Sequence, residues 1–206
     1  MKILAISDNE LPQMQNVPYL RRMYGDVDLL VSCGDLSAAY IEFITFVLSV
    51  PVFYVRGNHD ESYLDFPPGG DDLHKRVVFY RGLAFAGLEG SPRYNRGLIQ
   101  FTDEEMLFHI LEMAPGMLRR RLVRGSGVDV LLTHAPPRGI HDRHDRTHQG
   151  FRSLHLAIRL FRPRYLLHGH VDVYDRRETT ATLVQQTQVI NVNPARLITV
   201  DLPPNR

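Results

Sequence analysis

The chain of 206 residues is short of several things. It has one cysteine, Cys33, so no disulfide can form within the chain, which suits a reducing compartment. It has two lysines, Lys2 and Lys75, and its cations are otherwise arginines. It has almost no net charge, +1 at neutral pH, so no electrostatic footprint points to nucleic acid or an acidic membrane. It has no long apolar run: the most apolar stretch, 43–55, is too short to span a bilayer and contains Pro51. The first residues enter a short strand-like run without the longer apolar core of a signal peptide. We expect a cytoplasmic protein forming one domain over 1–206, with no internal repeat and no low-complexity linker.

What is present is a real core and a recurring pattern. Hydrophobic residues make up 44% and charged residues 23%. Short apolar runs rich in β-branched and aromatic residues recur at 2–7, 28–33, 52–56, 128–133 and 164–169. Helix-like segments over 37–49, 102–122 and 151–161 separate several of them. The second opens "TDEE", with Thr102 as N-cap and Glu105 completing a capping box. The alternation predicts an α/β fold with a largely parallel or mixed buried sheet. Residues 76–88 predict an antiparallel hairpin turning at Gly82, and the tail over 178–201 predicts further strands split by Pro194.

Ligands of open α/β sheets bind beyond the carboxyl ends of strands. Here the runs are followed by Asp8 and Glu10, by Asp35, by Asn58, His59 and Asp60, by His134, and by His170 and Asp172. Each alone reads equally well as a turn residue or a structural histidine. Five such endings on one edge of one sheet, mixing carboxylate, amide and imidazole, point to a hydrolytic metal site.

In this order "SDNE", "CGD", "GNHD", "THAPP" and "HGHVD" resemble the calcineurin-like metallophosphoesterase superfamily, over about 8–172. The resemblance implies a four-layer α/β/β/α sandwich of the metallophosphoesterase type. It also implies a metal-dependent phosphoesterase with two divalent ions at the strand tips, bridged by Asp35 and a water-derived hydroxide. Asn58, His134 and His170 resemble the other ligands of one ion, and Asp8 a ligand of the second. His59 resembles the general acid, with Asp60 placed to orient it. A phosphate-ester small molecule is the expected substrate, a phosphodiester somewhat before a monoester.

Two positions depart from the family pattern D-x-H and GH-x-H, where Glu10 and Asp172 stand in place of histidines. Both fall on the ion that Asp8 would serve. Three readings follow: a site rebuilt for a hard ion, a weak or empty site beside a working one, or a decayed site on a scaffold that binds a protein partner. Ligand chemistry favours the first, because other ligating groups replace the histidines. Mn²⁺ is then the first choice of metal, with Mg²⁺, Fe, Zn²⁺, Co²⁺ or Ni²⁺ as alternatives.

The loop "APPRGIHDRHDRTHQG" (135–150) leaves from His134 and is long for a connection within a compact domain. We expect it to contact substrate phosphate, His148 and Arg143 being the candidates. "GLEGSPRYN" (87–95) is expected to frame the pocket without matching any phosphate-cradling motif. "RRRLVR" (119–124) reads as a solvated helix end whose cations suit the dipole, and Cys33 as a small packed residue.

Overall fold

The computed structural model of the chain describes residues 1–175 and 177–202. Residues 203–206, included in the expected domain, lie outside the described residues. In chain order the first strands are β1 (Lys2–Ile6), β2 (Leu29–Ser32), β3 (Val52–Tyr54), β4 (Asp71–Asp72), β5 (Val77–Tyr80) and β6 (Leu83–Leu88). They are followed by β7 (Ser91–Pro92), β8 (Gln100–Phe101), β9 (Val130–Thr133), β10 (Tyr165–His168), β11 (Ala181–Val184), β12 (Thr187–Asn191) and β13 (Ala195–Thr199). The α-helices are α1 (Val17–Tyr24), α2 (Ala38–Leu48), α3 (Asp103–Arg124) and α4 (Ser153–Phe161).

The buried strands divide between two mixed sheets, ordered β13-β1-β2-β3-β4 and β11-β12-β10-β9-β6-β5, as the family resemblance implied, so the strand endings read as one edge of one sheet come from two. The reason lies in the side chains. The runs are apolar on both faces, so every central strand needs cover twice. Ile3, Ala5, Val31, Phe53 and Val55 of the first sheet pack on Phe85, Val130, Leu132, Leu167 and Ile190 of the second. The outer face of the first sheet buries Leu4, Ile6, Leu30 and Tyr54 with Leu20 of α1 and Ile41 and Ile44 of α2. The outer face of the second buries Ala84, Ala86, Leu131 and Leu166 under Ile110 and Met117 of α3 and Ile158 and Phe161 of α4. The architecture is the four-layer α/β/β/α sandwich.

Local signals hold where chemistry fixes them. The Thr102–Glu105 capping box forms at the start of α3. β5 and β6 pair antiparallel around Arg81 and Gly82, which both take positive φ, as the tight hairpin requires. The helix α1 was not anticipated, although Asn16 caps it by accepting from Tyr19 N at 2.9 Å and Pro18 sits in its first turn. Among the described residues no helix is long and apolar enough to cross a membrane.

Candidate metal centre

The parallel strands β1, β2 and β3 of one sheet and β9 and β10 of the other point their carboxyl ends the same way, so their tips meet at one rim. Asp8 follows β1, Asp35 follows β2, and Asn58 and His59 follow β3. His134 follows β9, and His170 follows β10. Asp8, Asp35 and His170 have φ of 61°, 57° and 68°, left-handed conformations that non-glycine residues hold only where the surroundings enforce them. The neighbouring glycines are steric necessities. A Cβ on Gly57 would lie 2.0 Å from Asp35 Oδ1, and one on Gly169 would lie 2.3 Å from Asp8 Oδ2.

His134 is fully buried at the centre. Its Nδ1 lies 2.8 Å from the carbonyl of Cys33, so Nδ1 carries the proton and donates. The Nε2 lone pair then faces Asn58 Oδ1 at 3.1 Å, Asp35 Oδ2 at 3.3 Å and His170 Nδ1 at 3.1 Å. His170 is fixed in the same way: its Nε2 donates to Thr147 O at 2.7 Å, leaving Nδ1 as a lone pair. Electron pairs of two imidazoles, a carbonyl and a carboxylate therefore converge with no proton between them in the neutral state. A cation placed among them would satisfy all four. Asp8, Asp35 and His134 offer ligand atoms that all lie within 4.8 Å of one another. The donor set suits a borderline divalent ion.

The electrostatics tell the same story. Burial pushes the Asp8 carboxyl up to about 6, with His134 opposing. Burial also disfavours ionised Asp35, yet His134 and the His59 amide hold it down at about 2. Burial would keep His134 neutral, but the charge of Asp35, its hydrogen bond and the charge of Asp8 raise it to about 9. Burial, then the charge of His134, holds His170 down at about 3. In the absence of a metal, one proton on His134 serves as the cation among these acceptors.

A cleft of about 270 Å³ opens over the centre, lined by Asp8, Asn9, Asp35, Asn58, His59, Thr147, His148, His170 and Asp172. A second cavity, about 470 Å³, lies on the other side of Asn58 and His59, lined also by Glu61, Tyr94, Asn95, Arg96, Gly97 and Gln100. The loop 93–97 that walls it is built rather than loose. Buried Gln100 accepts from the backbone N–H groups of Tyr94 and Asn95 at 3.1 and 3.2 Å, and Glu61 accepts from Leu98 N at 2.9 Å.

Several expected site residues take other positions. Glu10 is not brought to the cluster. Its Oε1 accepts from Ser37 N at 3.0 Å and Ser37 Oγ at 2.5 Å, at the N-terminus of α2, where a carboxylate suits the helix dipole. Asp60 does not orient the His59 ring. Its buried Oδ2 accepts from the N–H groups of Asp35 and Gly57 at 2.8 and 2.7 Å, bracing two tip loops together. Arg143 does not line the cleft: it donates to the Asp172 carbonyl at 2.7 Å and stacks on Tyr174. His148 does line the cleft, with its Nδ1 2.9 Å from Asp145 Oδ1. Asp172 also lines it, but Oδ1 accepts from Asn9 and Asn193 at 2.6 and 2.9 Å and Oδ2 from Tyr174 at 2.9 Å.

Tyr94 and Asn95 of the 87–95 segment frame the neighbouring cavity as expected, and other contributors were not anticipated as site residues. Tyr94 Oη accepts from Asn58 Nδ2 at 3.2 Å, which turns the amide so that Oδ1 faces the centre. Thr147 contributes its carbonyl to His170, and Asn9 and Asn193 hold Asp172. A backbone carbonyl carries no sequence signal; Asn9, inside the D-x-H span, could have been noticed. Cys33 packs fully buried as expected, and burial pushes its thiol well up.

The family model of calcineurin-like phosphoesterases matches residues 1–174. No curated protein matches. Among solved structures, TT1561 of Thermus thermophilus is 17% identical, with a TM-score of 0.59, covering 94% of this chain and 89% of that one. Another solved chain is 18% identical with a TM-score of 0.62, covering 94% of this chain and 90% of that one. A single-residue variant of Vps29 from Entamoeba histolytica is 14% identical with a TM-score of 0.48, covering 98% of this chain and 87% of that one.

Proposed function

The chain belongs to the calcineurin-like phosphoesterase family, and we propose that it is a metal-dependent hydrolase of small phosphate esters, diesters before monoesters. The observation that carries the proposal is the convergence on His134 Nε2 of Asn58 Oδ1, Asp35 Oδ2 and His170 Nδ1, a cluster of acceptors that share a single proton when no metal is bound. With Asp8 beside it, this set would hold one divalent ion. A second ion, with Mn²⁺ as the first choice for both, would use Asp8, Asp35 and Asp172, without Glu10. When bound, such ions supply Lewis-acid polarisation of phosphoryl oxygens and a more acidic water.

The chain's own groups do the rest. The His59 N–H donates to Asp35 Oδ1 at 2.8 Å, fixing the backbone that carries an exposed imidazole. That imidazole stands on the wall shared by the two cavities. From there it can protonate a leaving oxygen as the phosphoryl group sits over the centre. The alcohol part of the ester then occupies the larger cavity against Tyr94, Asn95 and Arg96. His148, which also lines the cleft, offers a contact to the phosphoryl oxygens.

A second reading rests on Asp172, whose oxygens are already held by Asn9, Asn193 and Tyr174. If those bonds persist, one ion works alone, or the fold serves as a scaffold for a protein partner. Steady-state assay of a chromogenic diester and monoester with Mn²⁺, Mg²⁺, Co²⁺ and Ni²⁺, from neutral to alkaline pH, separates the readings. Turnover that vanishes with chelator supports the enzyme; no turnover with any of these ions sinks it.

A further inference from the structure

The helix α3 has two apolar faces. One is spent on the core, burying Met106, Ile110, Met113, Ala114 and Met117. The other carries Phe108, Leu111, Leu118 and Leu122, which remain 61%, 49%, 37% and 89% exposed. With Pro115 among them, positions 108, 111, 115, 118 and 122 advance by alternate steps of 3 and 4. That is the repeat of a coiled-coil seam, which keeps one stripe facing a partner helix. At 100° per residue the stripe lies on a different side of the helix from the core positions. A run of exposed large apolar side chains on one face marks an interaction surface.

The occupant follows from symmetry and charge. Phe108 and Leu122 each lie seven residues from Pro115. An identical helix running the opposite way about that residue would therefore set Leu122 level with Phe108, and Leu118 one residue, about 1.5 Å, out of level with Leu111. Beside the stripe the N-terminal half of α3 is acidic, with Glu104 and Glu112, and the C-terminal half is basic, with Arg119. Antiparallel copies bring the acidic half of each onto the basic half of the other, whereas parallel copies set like on like. We propose that the protein self-associates through α3 as a two-fold antiparallel helix pair centred near Pro115.

The flanking residues make the arrangement specific. Glu112 and Arg119 are one heptad apart on the same side of the stripe, so across the dyad each faces the other's counterpart. Both are exposed, Glu112 having a partner in Lys75 at 3.0 Å within its own chain. Arg120 pairs with Asp129 at 2.6 Å, and Arg121 donates to the carbonyls of Arg159 and Leu160. Those two therefore hold α3 to its own domain. One helix pair makes an interface below about 1,200 Å² in total, so association in the micromolar range is expected.

Sedimentation velocity across the micromolar range tests this. The parent should pass from monomer to dimer with concentration. Leu122→Glu, whose side chain touches little of its own chain, should keep its circular dichroism and weaken the dimer by about tenfold or more. E112R alone and R119E alone should each weaken it, since each sets like charges across the dyad. An equimolar mixture of E112R and R119E should regain a heterodimer, as should the E112R/R119E double variant. A parent that stays monomeric, a dimer that Leu122→Glu leaves intact, or a mixture that stays monomeric while the parent dimerises would each overturn the proposal.

Discussion

The two halves of the strand-tip cleft differ in what has been done with their polar groups. In the half around His134, the donors point away, to Cys33 O and Thr147 O, and the lone pairs point inward. In the half around Asp172, the carboxylate receives N–H donors from Asn9 and Asn193 and an O–H from Tyr174, while Glu10 has turned to the α2 N-terminus. One half is an acceptor cage able to take a cation. The other has hydrogen-bonded itself into the scaffold. The same rim thus holds one half whose acceptors are open to a cation and one whose carboxylate is already taken up by hydrogen bonds.

The largest effect should come from His134→Ala. Removing the imidazole opens the cage, and metal affinity measured by chelator competition should fall by more than about a hundredfold, with turnover at background. A variant that keeps the parent's affinity would mean that the convergent lone pairs are a structural accident. His59→Ala should come next. Turnover should fall by about 10²- to 10⁴-fold while elemental analysis finds the parent's metal content. Loss of metal from that variant would instead make His59 part of the cage.

Asp172→Ala and Glu10→Ala divide the other half. Asp172→Ala should reduce the number of ions bound at saturation. Glu10→Ala should leave that number unchanged and cost about 1 kcal/mol of stability in urea unfolding, from the lost hydrogen bonds to Ser37. If Glu10→Ala loses an ion, Glu10 reaches the cleft after all.

The smallest effect is away from the rim. Burial, then the charges of His109, Lys75 and Arg56, holds His74 down at about 3. Its Nδ1 accepts from Glu89 N at 3.2 Å, a bond that protonation there would break. The unfolded chain takes up this proton near the usual histidine value and the folded chain does not. The part of the stability that His74 contributes is therefore full above pH 6.5 and is lost as the pH drops from 6.5 toward 3. His74→Gln should flatten that part of the profile in pH-dependent melting; an unchanged slope would mean that other groups dominate.

The core of the acceptor cage was legible in the sequence because its requirements are local. Glycine must precede Asp35, Asn58 and His170 where strand tips crowd, and the ligating side chain stands beside it. The α/β alternation and the capping box were legible for the same reason. The division into two sheets came only through the family resemblance, because an apolar run by itself shows that a strand is covered twice, not which sheet it joins. Side-chain direction was not legible. Asp60 was expected to face His59 and faces two backbone amides. Glu10 and Arg143 were expected in the cleft, but Ser37 N and the Asp172 carbonyl, both remote in sequence, claim them. Positions that replace a family histidine are where pattern says least, since the substituted residue is free to find a new partner.

The most direct measurement is an anomalous-difference map from crystals grown with Mn²⁺ and phosphate. A strong peak enclosed by Asp35, Asn58, His134 and His170 is expected, with any second, weaker peak beside Asp8 and Asp172 and none at Glu10. A map without density at His134, or with its strongest peak at Glu10, would contradict that expectation.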